Sequence, residues 1–280
     1  MIDLIQKRLA EYNATGPIEE ENALKEIVQE IILFALWRAD FFEVAAFQGG
    51  TSLRILHGLT RFSEDVDFIL LQPDPGFAWQ PYLENLAETC KEFGVEPEVL
   101  DRGKMDKNVR AALVKDSSIA NQLNLSFMNN QYGRKLTIKL EIDCNPPAGS
   151  EFEYKYLNFP IDYEVCHQDL SSNFALKIHA LLCWPYLKGR DWYDFNWYIN
   201  QSAKPNLHLL QNALLQYGPW QGQEVIVDSD WLQSTLSEKI AAINWRDAIA
   251  DVERFLKPVE QKSLSLWNER FFLSKLKQMK

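Results

Sequence analysis

Cysteine is scarce in this chain of 280 residues. Only Cys90, Cys144, Cys166 and Cys183 occur, with no CxxC pair among them. That spacing argues against a disulfide scaffold and a cysteine-held zinc site, and it suggests reduced thiols in a cytoplasmic protein. His57, His167, His179 and His208 show no metal-ligand spacing either. Neither GxSxG, HExxH nor GxxxxGK[ST] is present, which removes support for serine hydrolase, zinc protease and Walker ATPase chemistry. The most apolar helical stretch, IVQEIILFALW, is short and carries Glu30, so no membrane span is expected. The opening MIDLIQKRLAEYNATG is amphipathic and charged rather than leader-like. Repeats and low-complexity tracts are absent as well.

Positive charge is also in deficit. A formal net charge of −10 argues against broad coating of nucleic acid. Residues 254–280 depart from this trend, with Arg254, Lys257, Lys262, Arg270, Lys275, Lys277 and Lys280 against Glu260 and Glu269. This end reads as a solvated helix face or as an RNA-binding strip. A hydrophobic content of 46%, with 12% aromatics, describes a well-packed globular chain of one large or two ordinary domains.

The periodicity divides the chain near residue 168. The first half, 1–168, mixes helical and extended patterns, whereas 169–280 reads as helix throughout, giving an α+β class. Helices are expected over 2–12, 19–37 and 81–93, and strands over 44–47, 65–68, 95–100, 121–129 and 134–145. The charged stretch 101–116 is expected to be an irregular connection. Beyond Asp169, helices are expected over 171–187, with Ser171 or Ser172 as cap and Pro185 as terminator, and over 191–199, 205–217, 229–242, 244–256 and 260–277.

Chemistry concentrates in FQGGTSLRILHGLTRFSEDVDF, residues 47–68. A short strand runs into Gly49-Gly50, Thr51 can cap the following helix, and a second strand carries Asp65 and Asp67. Alternation sends both carboxylates to one face, about 7 Å apart, where their repulsion calls for a cation. The glycine pair at a helix N-terminus lets backbone N–H groups approach an anion. A phosphate cradle beside a metal clamp is the kit for phosphoryl or nucleotidyl transfer. The polar face of the strand at 134–145 adds Glu141 and Asp143 as candidates for a third carboxylate, with Lys139 as an alternative ion-pair partner for that face. Lys177, on an otherwise apolar helix, needs a charged partner that a triphosphate would supply. Asp191 and Asp194, at i and i+3, can orient Lys177 and Arg190 or bind base or ribose, and Asp191 can equally be a helix cap.

These residues resemble the AbiEii toxin family of nucleotidyltransferases, the toxin side of type IV toxin–antitoxin and abortive-infection systems. The resemblance rests on FQGGTSLRILHGLTRFSEDVDF, on KLEI at 139–142, and on ALKIHALL followed by KGRDWYDFNWYI at 188–199. It implies a nucleotidyltransferase-like mixed sheet with flanking helices, followed by a helical domain contributing Lys177 and Asp191 to the site. Gly49, Gly50, Thr51 and Ser63 would border the triphosphate with Lys177. Asp65 and Asp67 would bind Mg²⁺, with Glu141 or Asp143 completing the metal set. The implied reaction moves NMP from an NTP to an acceptor such as the tRNA 3′ end, under restraint by a cognate antitoxin. Two departures bear on nucleotide choice: Gln48 stands where many relatives carry lysine, and Trp184-Pro185 replaces an arginine-bearing stretch. Rival readings are a transferase that modifies a protein or small molecule, and a nucleotide-binding module without turnover.

Overall fold

The chain opens with α1 (Ile2–Glu11) and α2 (Pro17–Arg38), and α2 is the organising helix of the N-terminal half. Every residue of α2 from Ala23 to Leu36 except Lys25 is buried, so this helix has no solvent face over most of its length. The structure is a computed structural model and describes residues 2–104, 108–123, 125 and 135–279. Its described residues fall into two units: 1–58, 62–146 and 153–167 form the first, and 59–61, 147–152 and 168–280 the second.

The first unit is built on one mixed sheet. After α2 come β1 (Ala45–Gln48), α3 (Gly49–His57), β2 (Val66–Leu70), α4 (Gln80–Glu92), β3 (Glu98–Lys104), β4 (Val109–Asp116), α5 (Ser118–Gln122), β5 (Leu136–Asp143), β6 (Phe152–Leu157) and β7 (Tyr163–Gln168). The seven strands lie in the order β3-β4-β5-β2-β1-β7-β6. β1 and β2 are antiparallel, and β2 and β5 are parallel, with Asp67 opposite Glu141. Alternation on β5 is as expected: Leu136, Ile138, Leu140 and Ile142 are buried, whereas Lys139, Glu141 and Asp143 are half-buried. Under the sheet, Phe41 meets Phe68 edge-to-face at 4.8 Å and stacks on Trp79 at 5.5 Å. Burying each such ring contributes about 1.5–3 kcal/mol.

Several expectations need correction. The described residues of the stretch 101–116 are mostly strand, not irregular, because β3 reaches Lys104 and β4 pairs along β5 from Val109 to Asp116. Its charges fall on strands whose alternate residues Arg110, Ala112 and Val114 are buried, and a bulge at Asp101/Gly103 absorbs the mismatch. Of the strand expected over 121–129, residues 121 and 122 belong to α5, and 124 and 126–129 lie outside the described residues. β6 and β7 were not anticipated.

The second unit contains α6 (Leu170–Cys183), α7 (Gly189–Asn200), α8 (Leu207–Gln216), α9 (Ser229–Ala241), α10 (Trp245–Glu253), α11 (Pro258–Gln261) and α12 (Glu269–Leu276). Asp169, not Ser171 or Ser172, caps α6, accepting from the Ser172 N–H at 2.9 Å. The helix ends at Cys183, ahead of Pro185. The single helix expected over 260–277 is instead α11, a 3-10 turn over Lys262–Leu266, and α12, which Asn268 caps afresh. Gly189 fits α7 against α10 so closely that a Cβ there would lie 1.8 Å from the Ala248 carbonyl oxygen. Trp245 stacks on Phe272 at 4.2 Å, and Trp192 meets both rings edge-on.

Candidate active site

β1 ends at Gln48, and the next two residues already begin α3, so the glycine pair is the first turn of the helix. The N-cap is therefore Gln48, not Thr51, and its side chain donates instead to the Phe68 carbonyl at 3.1 Å. Gly49 has φ +77°, a left-handed conformation that costs a residue with a Cβ about 1–2 kcal/mol. Space forbids a side chain there as well. A Cβ on Gly49 would stand 2.6 Å from Asp67 Oδ2, so backbone and carboxylate share one small volume. The bend and Asp67 are thus adjacent in space.

Asp65 and Asp67 are both half-buried, while Val66 and Phe68 between and after them are fully buried. The approach to β2 is held through its backbone. Gln29 of α2 donates its amide to the Ser63 carbonyl at 3.1 Å and the Glu64 carbonyl at 2.9 Å. The Thr51 hydroxyl donates to the Asp65 carbonyl. Three successive carbonyls are thereby fixed from two helices, the last of them that of Asp65, which immediately precedes β2 rather than lying in it. Sequence reading missed Gln29, because a glutamine on a buried helix carries no local sign of a partner more than thirty positions away. Thr51 was found, with a different task.

On β5, Glu141 stands opposite Asp67, and Asp143 opposite Ile69 one step further along. Asp143 accepts from the Asn145 N–H at 2.9 Å, a local turn contact. By register, Glu141 is the acid nearer the pair. Lys139 lies on the same face, and its ammonium is 2.7 Å from Glu141 Oε1. Burial works against the charge of Lys139, but its hydrogen bond to Glu141 and the fields of Glu141, Asp65 and Asp67 hold its pKa above the ordinary lysine value.

A hard divalent cation suits this donor set, which is made of carboxylate oxygens on one sheet face beside a glycine that leaves room. Among the described residues no group of three or more His, Cys, Asp or Glu side chains is gathered to hold a metal ion. Mg²⁺ does not require one: it commonly takes one or two carboxylates and completes its shell with water and substrate phosphates.

The other two expected residues lie in the second unit. Lys177 Nζ is 2.6 Å from Asp191 Oδ1 and 3.0 Å from Asp194 Oδ2. Arg61, which belongs to that unit, makes a two-pronged contact with Asp194 at 2.6 Å on each arm. The Asp194 side chain is 0% exposed and that of Arg61 3%. Burial opposes the charge on Asp194, yet Arg61 and Lys177 hold its carboxyl below the usual range. Burial likewise opposes the charge on Lys177, and Asp191 and Asp194 raise it. Asp191 lies in the first turn of α7 beyond the N-cap, so it is not the cap. The Arg61–Asp194 contact was not anticipated; the two are 133 positions apart.

No helix among the described residues is long and apolar enough to cross a membrane. A comparison with curated proteins gives no match. Among solved structures, the chain is similar to the MenT4 nucleotidyltransferase toxin of Mycobacterium tuberculosis H37Rv. The TM-score is 0.60 at 18% identity, over 100% of this chain and 89% of that one. It is also similar to JHP933 of Helicobacter pylori, with a TM-score of 0.52 at 17% identity, over 93% of this chain and 90% of the other. At such identities these likenesses speak for the fold. The profile described as "Nucleotidyl transferase AbiEii toxin, Type IV TA system" matches residues 31–271, from α2 through the acid-bearing strands into α12. With most of its length accounted for in this way, the chain belongs to the AbiEii family and is a nucleotidyltransferase.

Proposed function

We propose that this protein transfers NMP from an NTP to an acceptor hydroxyl, the acceptor being the 3′ end of tRNA, with Mg²⁺ bound by Asp65 and Asp67. Family membership implies a nucleotide substrate and an antitoxin partner. The contact between Gly49 and Asp67 is the observation that carries the finer reading. A carboxylate 2.6 Å from where a Cβ would sit brings the acid to the first turn of α3, where backbone N–H groups attract phosphate. Gly49, Gly50, Thr51 and Ser63 border the polyphosphate in this reading. Asp65 and Asp67 hold the cation, with Glu141 as the third carboxylate in preference to Asp143. When bound, Mg²⁺ would neutralise charge on the transferring phosphoryl group and lower the pKa of the attacking hydroxyl. The chain's own contribution is orientation: Gln29 and Thr51 fix the carbonyls ahead of β2, so the two acids keep their spacing without reorganising during transfer. Lys177 and Asp191 are proposed as further residues on which transfer depends.

The test is incubation with each labelled NTP, Mg²⁺ and either total tRNA or cell lysate, with Asp65→Ala in parallel. Label in tRNA with the unaltered chain and none with Asp65→Ala is the expected result. Label in protein would overturn the acceptor assignment, and NTP binding without any transfer would overturn turnover itself.

A further inference from the structure

Lys139 lies on the acidic face of the sheet and has no task in the reaction as described. Lys139 precedes Glu141 by two residues on β5, so both side chains leave the same face, and they meet at 2.7 Å. Glu141 is opposite Asp67 across the parallel pair β2–β5. Lys139 and Glu141 are about equally accessible, at 30% and 28%, so their contact lies at the open side of the sheet. Asp67 and Glu141 thus face each other across two strands, Asp65 comes just ahead of β2, and the Lys139 ammonium feels all three. The ammonium holds Oε1 of Glu141, the residue that register sets opposite Asp67.

We propose that Lys139 is the built-in counter-cation of this site. Its ammonium holds Glu141 and offsets Asp65 and Asp67 until a divalent ion displaces it, and it thereby sets how tightly the protein takes metal. The inference rests on the reading of Asp65 and Asp67 as the metal-binding pair. A divalent ion carries twice the charge of an ammonium on a smaller body, so it wins the exchange when it arrives with phosphate oxygens to complete its shell. Without nucleotide the lysine competes on better terms. Metal affinity would therefore be low in the free protein and higher with NTP present. Lys139 acts here as a positioning residue, through Glu141.

The measurement is a titration of the full chain with Mn²⁺, followed by electron paramagnetic resonance of the free ion, without nucleotide. Circular dichroism confirms that each variant is folded. Lys139→Met is expected to bind Mn²⁺ about tenfold more tightly than the unaltered chain, and Lys139→Arg, which keeps the charge, within about twofold of it. Lys139→Met/Glu141→Gln is expected to lose most of the gain. Unchanged or weaker binding in Lys139→Met would overturn the proposal. A gain that survives intact in the double variant would overturn the claim that Lys139 withholds Glu141. Asp65→Asn separates the two levels. If it binds Mn²⁺ as the unaltered chain does, the metal-binding role of the pair fails. If it loses Mn²⁺ while Lys139→Met gains nothing, only the role of Lys139 fails.

Discussion

The two charge clusters of this molecule use the same kinds of residue to opposite ends. In the first unit, Lys139 is paired with Glu141 and feels the fields of Asp65 and Asp67, and all four side chains are part-exposed. In the second unit, Arg61 and Lys177 face Asp191 and Asp194, charges cancel, and Asp194 is fully enclosed. A buried network with short contacts has much to lose if its enclosed member Asp194 is removed, whatever Lys177 and Asp191 lend to transfer. The part-exposed acids at β2 and β5 are open to a ligand. A buried ion pair is therefore a poor pointer to chemistry, and accessible acids beside a glycine bend are a better one.

That contrast can be broken most directly by Asp67→Asn beside Asp194→Asn. Asp67→Asn should cost at least about 10³-fold in transfer, roughly 4 kcal/mol of barrier, with little change in melting temperature. Asp194→Asn should destabilise by about 3–5 kcal/mol, leaving Arg61 and Lys177 short of a partner, and lower the midpoint by about 10 °C. Radiolabel transfer and calorimetry on both variants decide it. If Asp194→Asn melts like the unaltered chain, the second cluster is not the structural one.

Gly189→Ala sharpens the stability side without altering charge. Its methyl would meet backbone atoms of Ala248 at 1.8 and 2.7 Å, which cannot swing aside, so α7 and α10 must part. A loss of about 3 kcal/mol in urea denaturation is expected.

The next largest effect depends on pH. Burial, Lys155 and His167 push His57 down to about 4 from the ordinary histidine value of 6.5. The native state therefore binds fewer protons than the unfolded chain in that interval. The stabilising contribution is complete above about pH 6.5 and is lost as pH falls towards 4. After allowance for solvent screening this is about 2 kcal/mol. His57→Gln should flatten that acid limb in denaturation curves recorded from pH 4 to 7. The smallest change comes from Thr51→Val, which removes the hydroxyl that holds the Asp65 carbonyl. About 1 kcal/mol of stability and about tenfold in transfer should go.

Local pattern accounts for what was legible in the sequence. The diglycine and Asp65-Val66-Asp67 are fixed by neighbours within a few residues, and the alternation of Leu136, Ile138, Leu140 and Ile142 marks β5 without ambiguity. What escaped notice depends on distant partners. β6 is exposed on both faces along FEYKYL, so its side chains show no in-and-out period. β7 is nearly buried throughout, with the opposite result: too continuous a run to alternate. The charges of 101–116 concealed β4 and the second half of β3, and the pairing of β4 with β5 is supplied twenty or more positions later. Glu141 could be placed opposite Asp67 only once the parallel register of β2 and β5 was known.

The missing side chain at position 49 has a practical use. Because a Cβ there would crowd Asp67 Oδ2, one added methyl group would disturb the acid without changing any ionisable residue. On the proposed reading, the Gly49→Ala chain would lose transfer while keeping its full complement of charged residues, which separates the placing of the acid from its presence.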